Sequence, residues 1–415
     1  MSIHSYCMER LIAHCDADCF FAAVEIRDNP FLKRKPVLVC NRTDNRGIVV
    51  TASYEARPFG IRAGTPVYQA IQLCPKALLV ETNFHRYSET SRALMELLRT
   101  LSPHVQPYSI DEAFVDLTGL PELLNSEACV QYAQMLQLRI LNEIGIPVSI
   151  GIASSKLLAK IASDLNKPRG VAWINETNRR TILSKLPISA VPGVGRKTAL
   201  RLSAYGYTTA ADLASRSEIQ QFMGSQGRYF YAELNGEALS PVASRTQPPK
   251  SLSHLRTFPI FTADHEYVLS YALQLLHELT ERLRWHEQET AEIQLVLVTK
   301  DFSHRSATHR FETATASEHI LIPTIKELFK EIVEPGKLYR KTGFIMSKLQ
   351  PAFPKQYSLF NSEKEAKNDA LNTTRDALEK RFGKHVMSLS RRSVDKSRKS
   401  TTMRPSTAPE ELIKR

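Results

Sequence analysis

Residues 108–117 read YSIDEAFVDL. Two adjacent carboxylates, Asp111 and Glu112, interrupt a run of strand-forming residues. Neighbouring side chains on a regular strand point to opposite faces, so a site shared by both needs a bend or a ligand reaching both faces. The competing reading is a solvated turn between two strands, where carboxylates are common.

Asp16 bears on that choice. It directly follows the apolar run LIAHC (Leu11–Cys15), and Asp18 comes two residues later. A carboxylate at the end of a buried strand is costly unless it is solvated, paired or bound to a cation. If this segment and residues 108–117 are neighbours, three or four carboxylates converge. Their repulsion raises their pKa values unless hard cations neutralise them. Oxygen ligands without a His or Cys partner favour Mg²⁺ or Mn²⁺. Two such ions, roughly 3.5–4 Å apart, suit in-line phosphoryl transfer.

The surrounding pattern predicts alternating strands and helices over about 1–170, an α/β or α+β core. Strands are expected at PVLVCN, GIVVTASY and PVSIGIASS. Helices are expected from Cys19, over TPVYQAIQLCP with Thr65 as N-cap and Pro66 at the first position, and over YSETSRALMELLRTLSP, with Leu94, Leu97, Leu98 and Leu101 on one face. Two more are expected over VQYAQMLQLRILNEIG and over SKLLAKIASDLNKP, which stops at the Asn166-Lys167-Pro168 corner. Residues 171–245 read as mainly helical. The Pro-rich stretch SRTQPPK (Ser244–Lys250) reads as a linker, and 251–350 as a separate α+β unit. Beyond 361 the chain turns polar, with one helical patch from Ala366 to Phe382 before a segment of disordered composition.

The net charge is +12 with pI near 9.4, which favours a polyanionic partner. Residues 351–415 carry 15 basic against 8 acidic side chains, whereas 250–350 balance at 13 each, so the motifs must identify the partner. All six cysteines lie in the first third and none forms a C-x-x-C pair, against a zinc site or disulfide framework. No apolar run approaches a membrane span. Met1–Arg10 lacks the pattern of an export signal, so a cytoplasmic location is expected.

TASYEARPFG offers Thr51, Tyr54 and Arg57, and NKPRG offers Lys167. An Arg fork and a phenol three residues apart share a helix face and can grip a phosphate; an exposed helix face and a loop lysine are the alternative. In VPGVGRKTALRLSAYG (Val191–Gly206), Gly193 and Gly195 precede Arg196 and Lys197. This helix-hairpin-helix pattern leaves backbone N–H groups free at a helix N-terminus, where phosphate binds without base readout; an ordinary Gly-rich turn is the alternative. QYSLF (Gln356–Phe360) reads as a peptide ligand for a hydrophobic pocket or as leftover core.

DADCFFAAVEIRDNP, TASYEARPFGIRAGTP, YSIDEAFVDLTG, VSIGIASSKLLAKIASDLNKPRG and VPGVGRKTALRLSAYG follow one another as in the Y-family translesion DNA polymerases, a resemblance covering roughly residues 10–360. The first and fourth look most like the DinB (polymerase IV) branch, while KSLSHLRTF and YRKTGFIMSKLQP look closer to the UmuC branch.

The resemblance implies an α+β right hand: a ferredoxin-like palm (1–20 and 83–170), fingers (21–82), a helical thumb with the helix-hairpin-helix (171–245), a linker (246–250), a little finger (251–350) and a basic tail (351–415). It implies that Asp16, Asp111 and Glu112 are the catalytic carboxylates, binding two Mg²⁺ ions (Mn²⁺ may substitute) with the Ala17 carbonyl, and that Asp18 is not a ligand. Phe21 matches the steric gate against a ribose 2′-OH, with Phe20 beside it. Thr51, Tyr54, Arg57 and Lys167 match triphosphate contacts. Gly193, Gly195, Arg196 and Lys197 match DNA contacts. Gln356, Leu359 and Phe360 resemble a sliding-clamp peptide, with Tyr357 where Leu is more usual, and Pro58 is a further variation that bends the local helix.

The implied function is low-fidelity, template-directed synthesis across damaged DNA. The partners are primer-template DNA, a dNTP and the clamp, and a monomer is expected. No stretch reads as a proofreading exonuclease. The alternatives are an inert scaffold of a mutagenesis complex on the clamp and a metal-dependent nuclease.

Overall fold

The computed structural model describes residues 10–120, 126–243 and 248–352, with seven isolated positions between 367 and 381. They fall into two compact units, 10–243 and 248 onward.

The first unit is built on a five-stranded sheet of order β5-β6-β1-β7-β8. Its strands are β1 (Ile12–Ala17), β5 (Val105–Pro107), β6 (Glu112–Asp116), β7 (Val148–Ala153) and β8 (Val171–Ile174). β1 lies centrally, antiparallel to both β6 and β7, and β8 joins β7 in parallel. Alternation along β1 sorts its side chains between two cores. Ala13, Cys15 and Ala17 enter one core with α1 (Phe20–Asp28), α3 (Phe84–Arg99) and α4 (Ser126–Ile144). Ile12 enters the other, with α5 (Lys156–Leu165). β7 is buried along its whole length, as expected of a strand covered on both faces.

A smaller sheet, β3-β2-β4, is made from β2 (Val37–Cys40), β3 (Val49–Ala52) and β4 (Leu78–Glu81), with α2 (Val67–Leu73) on its own apolar cluster. Pro66, not Thr65, is the N-cap of α2. The Thr65 carbonyl is taken by the Val49 amide at 2.9 Å, which holds that residue in the β3 edge and starts the helix one position later.

Residues 171–174, read from the sequence as the start of the helical stretch, form β8 instead. The stretch that follows is helical: α6 (Glu176–Lys185), α7 (Arg196–Ala204), α8 (Ala210–Ser215), α9 (Ile219–Met223) and α10 (Ser225–Leu234). Their apolar faces share the core of α5.

The second unit has an antiparallel sheet of order β11-β10-β12-β9, from β9 (Ser251–Thr262), β10 (Gln288–Thr299), β11 (His304–Thr315) and β12 (Tyr339–Pro351). Helices α11 (His265–Trp285) and α12 (Glu318–Ile332) pack on it around Leu275, Leu279, Leu295, Leu321 and Phe344.

What brings α5 onto the first sheet is a glycine. A Cβ at Gly151 of β7 would lie 2.1 Å from the Ala159 carbonyl oxygen and 2.2 Å from the Ser163 amide nitrogen, both α5 backbone atoms. Only a bare Cα lets the helix approach so closely. Gly151→Ala should lower the stability of this unit by about 3 kcal/mol. The chain has two tryptophans, Trp173 on β8 and Trp285 on α11. Urea unfolding followed by Trp173 fluorescence in a Trp285→Phe background measures the effect; an unchanged midpoint would contradict this account of the helix–sheet contact.

Candidate active site

Asp16 and Glu112 face each other directly across β1 and β6. Opposed residues of an antiparallel pair project to the same side. His14, two residues before Asp16, shares that side, and all three offer ligand atoms within 4.8 Å of one another. Asp111 stands in the turn just before β6. Its carbonyl accepts from the Ala17 amide at 2.9 Å, and its carboxylate accepts from the Ser109 hydroxyl. The turn is closed by the Tyr108 and Ser109 amides, both donating to the Glu112 carbonyl at 2.9 and 3.1 Å. The bend sought in the sequence is therefore this turn, which lets consecutive carboxylates approach one region.

Cations from the α5 segment stand against these acids. Lys160 pairs with Glu112, and Lys167, just past the helix, donates to Asp16 at 2.8 Å and to Asp164 at 2.7 Å. Burial alone would raise the Glu112 carboxyl, but the His14 hydrogen bond and Lys160 hold it down at about 2. Burial raises Asp16 despite Lys167. Asp111 is pushed up to about 6, first by burial and then by the charges of Asp16 and Glu112, with Ser109 opposing.

The donor set fits a hard divalent cation. It presents the carboxylate oxygens of Asp16 and Glu112 on one face, with Asp111 in the adjoining turn. His14 does not complete that set. It is fully buried, with Nδ1 2.8 Å from Ser163 Oγ and Nε2 3.1 Å from Glu112 Oε2. Burial lowers its pKa. Both ring nitrogens are thus engaged within the chain, and the Ser163 hydroxyl itself donates to the Lys160 carbonyl at 2.8 Å.

The remaining residues singled out in the sequence form three groups among the described residues. Phe21, half-buried at the start of α1, stacks on Tyr87 with centroids 4.3 Å apart, and Phe20 packs beside it. Tyr87 in turn donates to the buried Glu25 at 2.6 Å. Tyr54 and Arg57 do share a face, with the guanidinium 4.0 Å from the ring centroid, but in a turn and a 3₁₀ segment, Arg57–Phe59, rather than an α-helix. Thr51 lies on β3, half-buried and paired with Val39. Gly193 has φ +91°, Gly195 is the N-cap of α7, and Arg196 and Lys197 are exposed in its first turn. Gln356, Leu359 and Phe360 lie outside the described residues.

Sequence reasoning missed His14, Lys160 and the partners of Asp18. The signals existed for the first two: His14 is at i−2 from Asp16 on a strand, and Lys160, Asp164 and Lys167 follow at helical spacing.

With this geometry in place, likeness to known proteins is informative. The impB/mucB/samB family model matches residues 15–164, and the model of that family's C-terminal domain matches 249–359. A DNA polymerase IV of Staphylococcus aureus (strain MRSA252) is 34% identical over 357 residues, covering 85% of this chain and 99% of the relative. A DNA polymerase IV of Oceanobacillus iheyensis is 31% identical over 393 residues, 91% of each chain. Among solved structures, a Y-family DNA polymerase chimera of Dbh and Dpo4 superposes with a TM-score of 0.72 at 27% identity, covering 82% of this chain and 99% of that one. DinB from Sulfolobus solfataricus gives 0.53 at 27% identity, covering 81% and 98%.

The chain thus belongs to the impB/mucB/samB family, that of the Y-family DNA polymerases. It is a DNA-directed DNA polymerase with the multidomain α+β architecture of that class.

The raised Asp111 carboxyl has a measurable cost. The folded state holds its proton up to about pH 6, against an ordinary value of 3.8. Stability is therefore lost as pH rises through this window and stays lost above it. In divalent-free buffer at pH 7.5, Asp111→Asn should stabilise the protein by about 1–3 kcal/mol. The gain should vanish near pH 4, where the acid is already neutral. Thermal unfolding at both pH values checks this, and destabilisation at pH 7.5 would contradict the assignment.

Proposed function

We propose that this polymerase performs translesion synthesis, adding dNTPs to the 3′-OH of a primer on template DNA at the Asp16–Asp111–Glu112 site. The reading is carried by Asp16 and Glu112 opposed on one face of the sheet, with Asp111 in the turn beside them. The relatives support the partners: one Dbh DNA polymerase was solved as an insertion ternary complex.

In this reading a bond forms between the 3′ oxygen and the α-phosphorus. The bond from that phosphorus to the bridging β-phosphate oxygen breaks, pyrophosphate leaves, and the 3′-hydroxyl proton passes to solvent. Mg²⁺, when bound, lowers the pKa of the attacking hydroxyl and offsets charge on the phosphoryl oxygens. The chain's own residues do the rest. Asp16, Asp111 and Glu112 hold the cation site, joined by the Ala17 carbonyl. His14 and Lys160 engage one oxygen of Glu112, Oε2, and so fix the direction of the other. Thr51, Tyr54, Arg57 and Lys167 receive the triphosphate, for which Lys167 leaves Asp16. The Phe21 ring, held by Tyr87, blocks a 2′-OH. Gly193, Gly195, Arg196 and Lys197 take backbone phosphates. Residues 356–360 engage a sliding clamp, and synthesis without proofreading is of low fidelity.

Primer extension with the purified protein and Mg²⁺ tests the reading. Asp16→Ala or Asp111→Ala should lower kcat about a thousandfold; extension at the wild-type rate would refute the site. Phe21→Val should reduce the preference for dNTPs over rNTPs by about tenfold or more, and an unchanged preference would remove the gate from Phe21. Deleting residues 355–415 should spare unassisted extension and abolish stimulation by the clamp.

A further inference from the structure

Asp18 is 1% exposed and is not part of the acid cluster on β1 and β6. Its carboxylate collects three donors from separate parts of the first unit. Ser149 of β7 donates from its hydroxyl, 2.9 Å from Oδ1 and 3.1 Å from Oδ2. The Arg169 amide donates to Oδ2 at 2.7 Å, and the Tyr54 phenol donates to Oδ1 at 3.2 Å. Ser149 extends the network by accepting from the Gly170 amide at 3.2 Å. Arg169 has φ +56°, a left-handed conformation that a side chain disfavours and that its bond to Asp18 helps to hold.

We propose that Asp18 is a positioning residue for the nucleotide's triphosphate, fixing the Tyr54–Arg57 turn and the 167–170 loop relative to each other through one buried carboxylate. The inference rests on the reading of Tyr54, Arg57 and Lys167 as triphosphate contacts. Tyr54 carries Arg57 over its ring, so the phenol's anchor sets where the guanidinium stands. Arg169 is two residues past Lys167, so its amide fixes the base of the loop carrying that ammonium. All three groups around Asp18 donate and none accepts. A carboxylate offers acceptors on both oxygens, whereas Asn turns an N–H₂ toward one donor. Asp18 touches none of Asp16, Asp111 and Glu112 through a hydrogen bond, so its effect falls on nucleotide binding rather than on the chemical step.

Steady-state primer extension with Asp18→Asn, Tyr54→Phe and the double variant tests this. Asp18→Asn should raise KM for dNTP about tenfold, the worth of one charge-assisted hydrogen bond, with kcat within about twofold of wild type. In the double variant KM should rise less than the product of the single effects, because both changes cut one linkage. Should Asp18→Asn fail to fold, Ser149→Ala with Tyr54→Phe forms the same cycle from the donor side, and sub-multiplicative KM effects are again expected. A KM within twofold of wild type in Asp18→Asn, a loss confined to kcat, or multiplicative effects in either cycle would overturn the positioning role. A wild-type chain that does not extend primers would instead overturn the polymerase reading on which the role rests.

Discussion

Two like charges face each other across adjacent strands. Asp16 and Glu112 are in direct register, and at about 5 Å two unscreened carboxylates repel by roughly 3 kcal/mol at an effective dielectric of 20. A sheet does not keep such a pair without compensation. Here the compensation is closer than the repulsion. Lys167 sits 2.8 Å from Asp16, and Lys160 and His14 both engage Oε2 of Glu112. Because Coulomb attraction grows as distance shrinks, the lysine pairs outweigh the acid pair, and the register survives.

That requirement explains the placement of α5. Lys160 and Ser163, one turn apart, come from the side that faces the sheet, and Lys167 from the chain just beyond it. They reach β1 and β6 only if the helix lies unusually close. Gly151 permits the approach, and Ala159, Ala162 and Ser163 keep the facing surface small. The Ser155 hydroxyl accepts from the Leu158 amide at 3.3 Å and fixes where the helix starts. Close packing and site electrostatics are thus one constraint: a bulkier residue at 151 would move the lysines away from the acids as well as disturb the core.

Much of this was legible as local pattern. Period-2 alternation and apolar runs located β1, β2, β3 and β7, and 3.6-residue spacing located α3, α4 and α5. Asp16 as a strand-terminal carboxylate and the Asp111–Glu112 pair were visible for the same reason. What depended on pairing between distant segments was not. β8 is four residues long and is stabilised by β7, a parallel partner more than twenty residues earlier. Thr65 looked like a helix cap because nothing local shows that Val49 takes its carbonyl. Tyr54 and Asp18 are 36 positions apart and meet through a turn, so the role of Asp18 could not be read from spacing. The tail motif at 356–360 lies outside the described residues, and its reading rests on sequence.

Compensation in the acid cluster is uneven, and the unevenness has a direction. Among the described residues, lysines stand against Asp16 and Glu112 but not against Asp111, which is held by the Ser109 hydroxyl and its own turn. A site with three matched lysines would be electrostatically quiet and would have little attraction for a further cation. A site with none would carry several kcal/mol of repulsion into the folded state. With two, the sheet holds its register, and the acid left raised is Asp111, in the turn whose carbonyl accepts from the Ala17 amide. The paired acids thus hold the register of the sheet, while Asp111, which no lysine pairs among the described residues, carries the cost of its burial into the folded state.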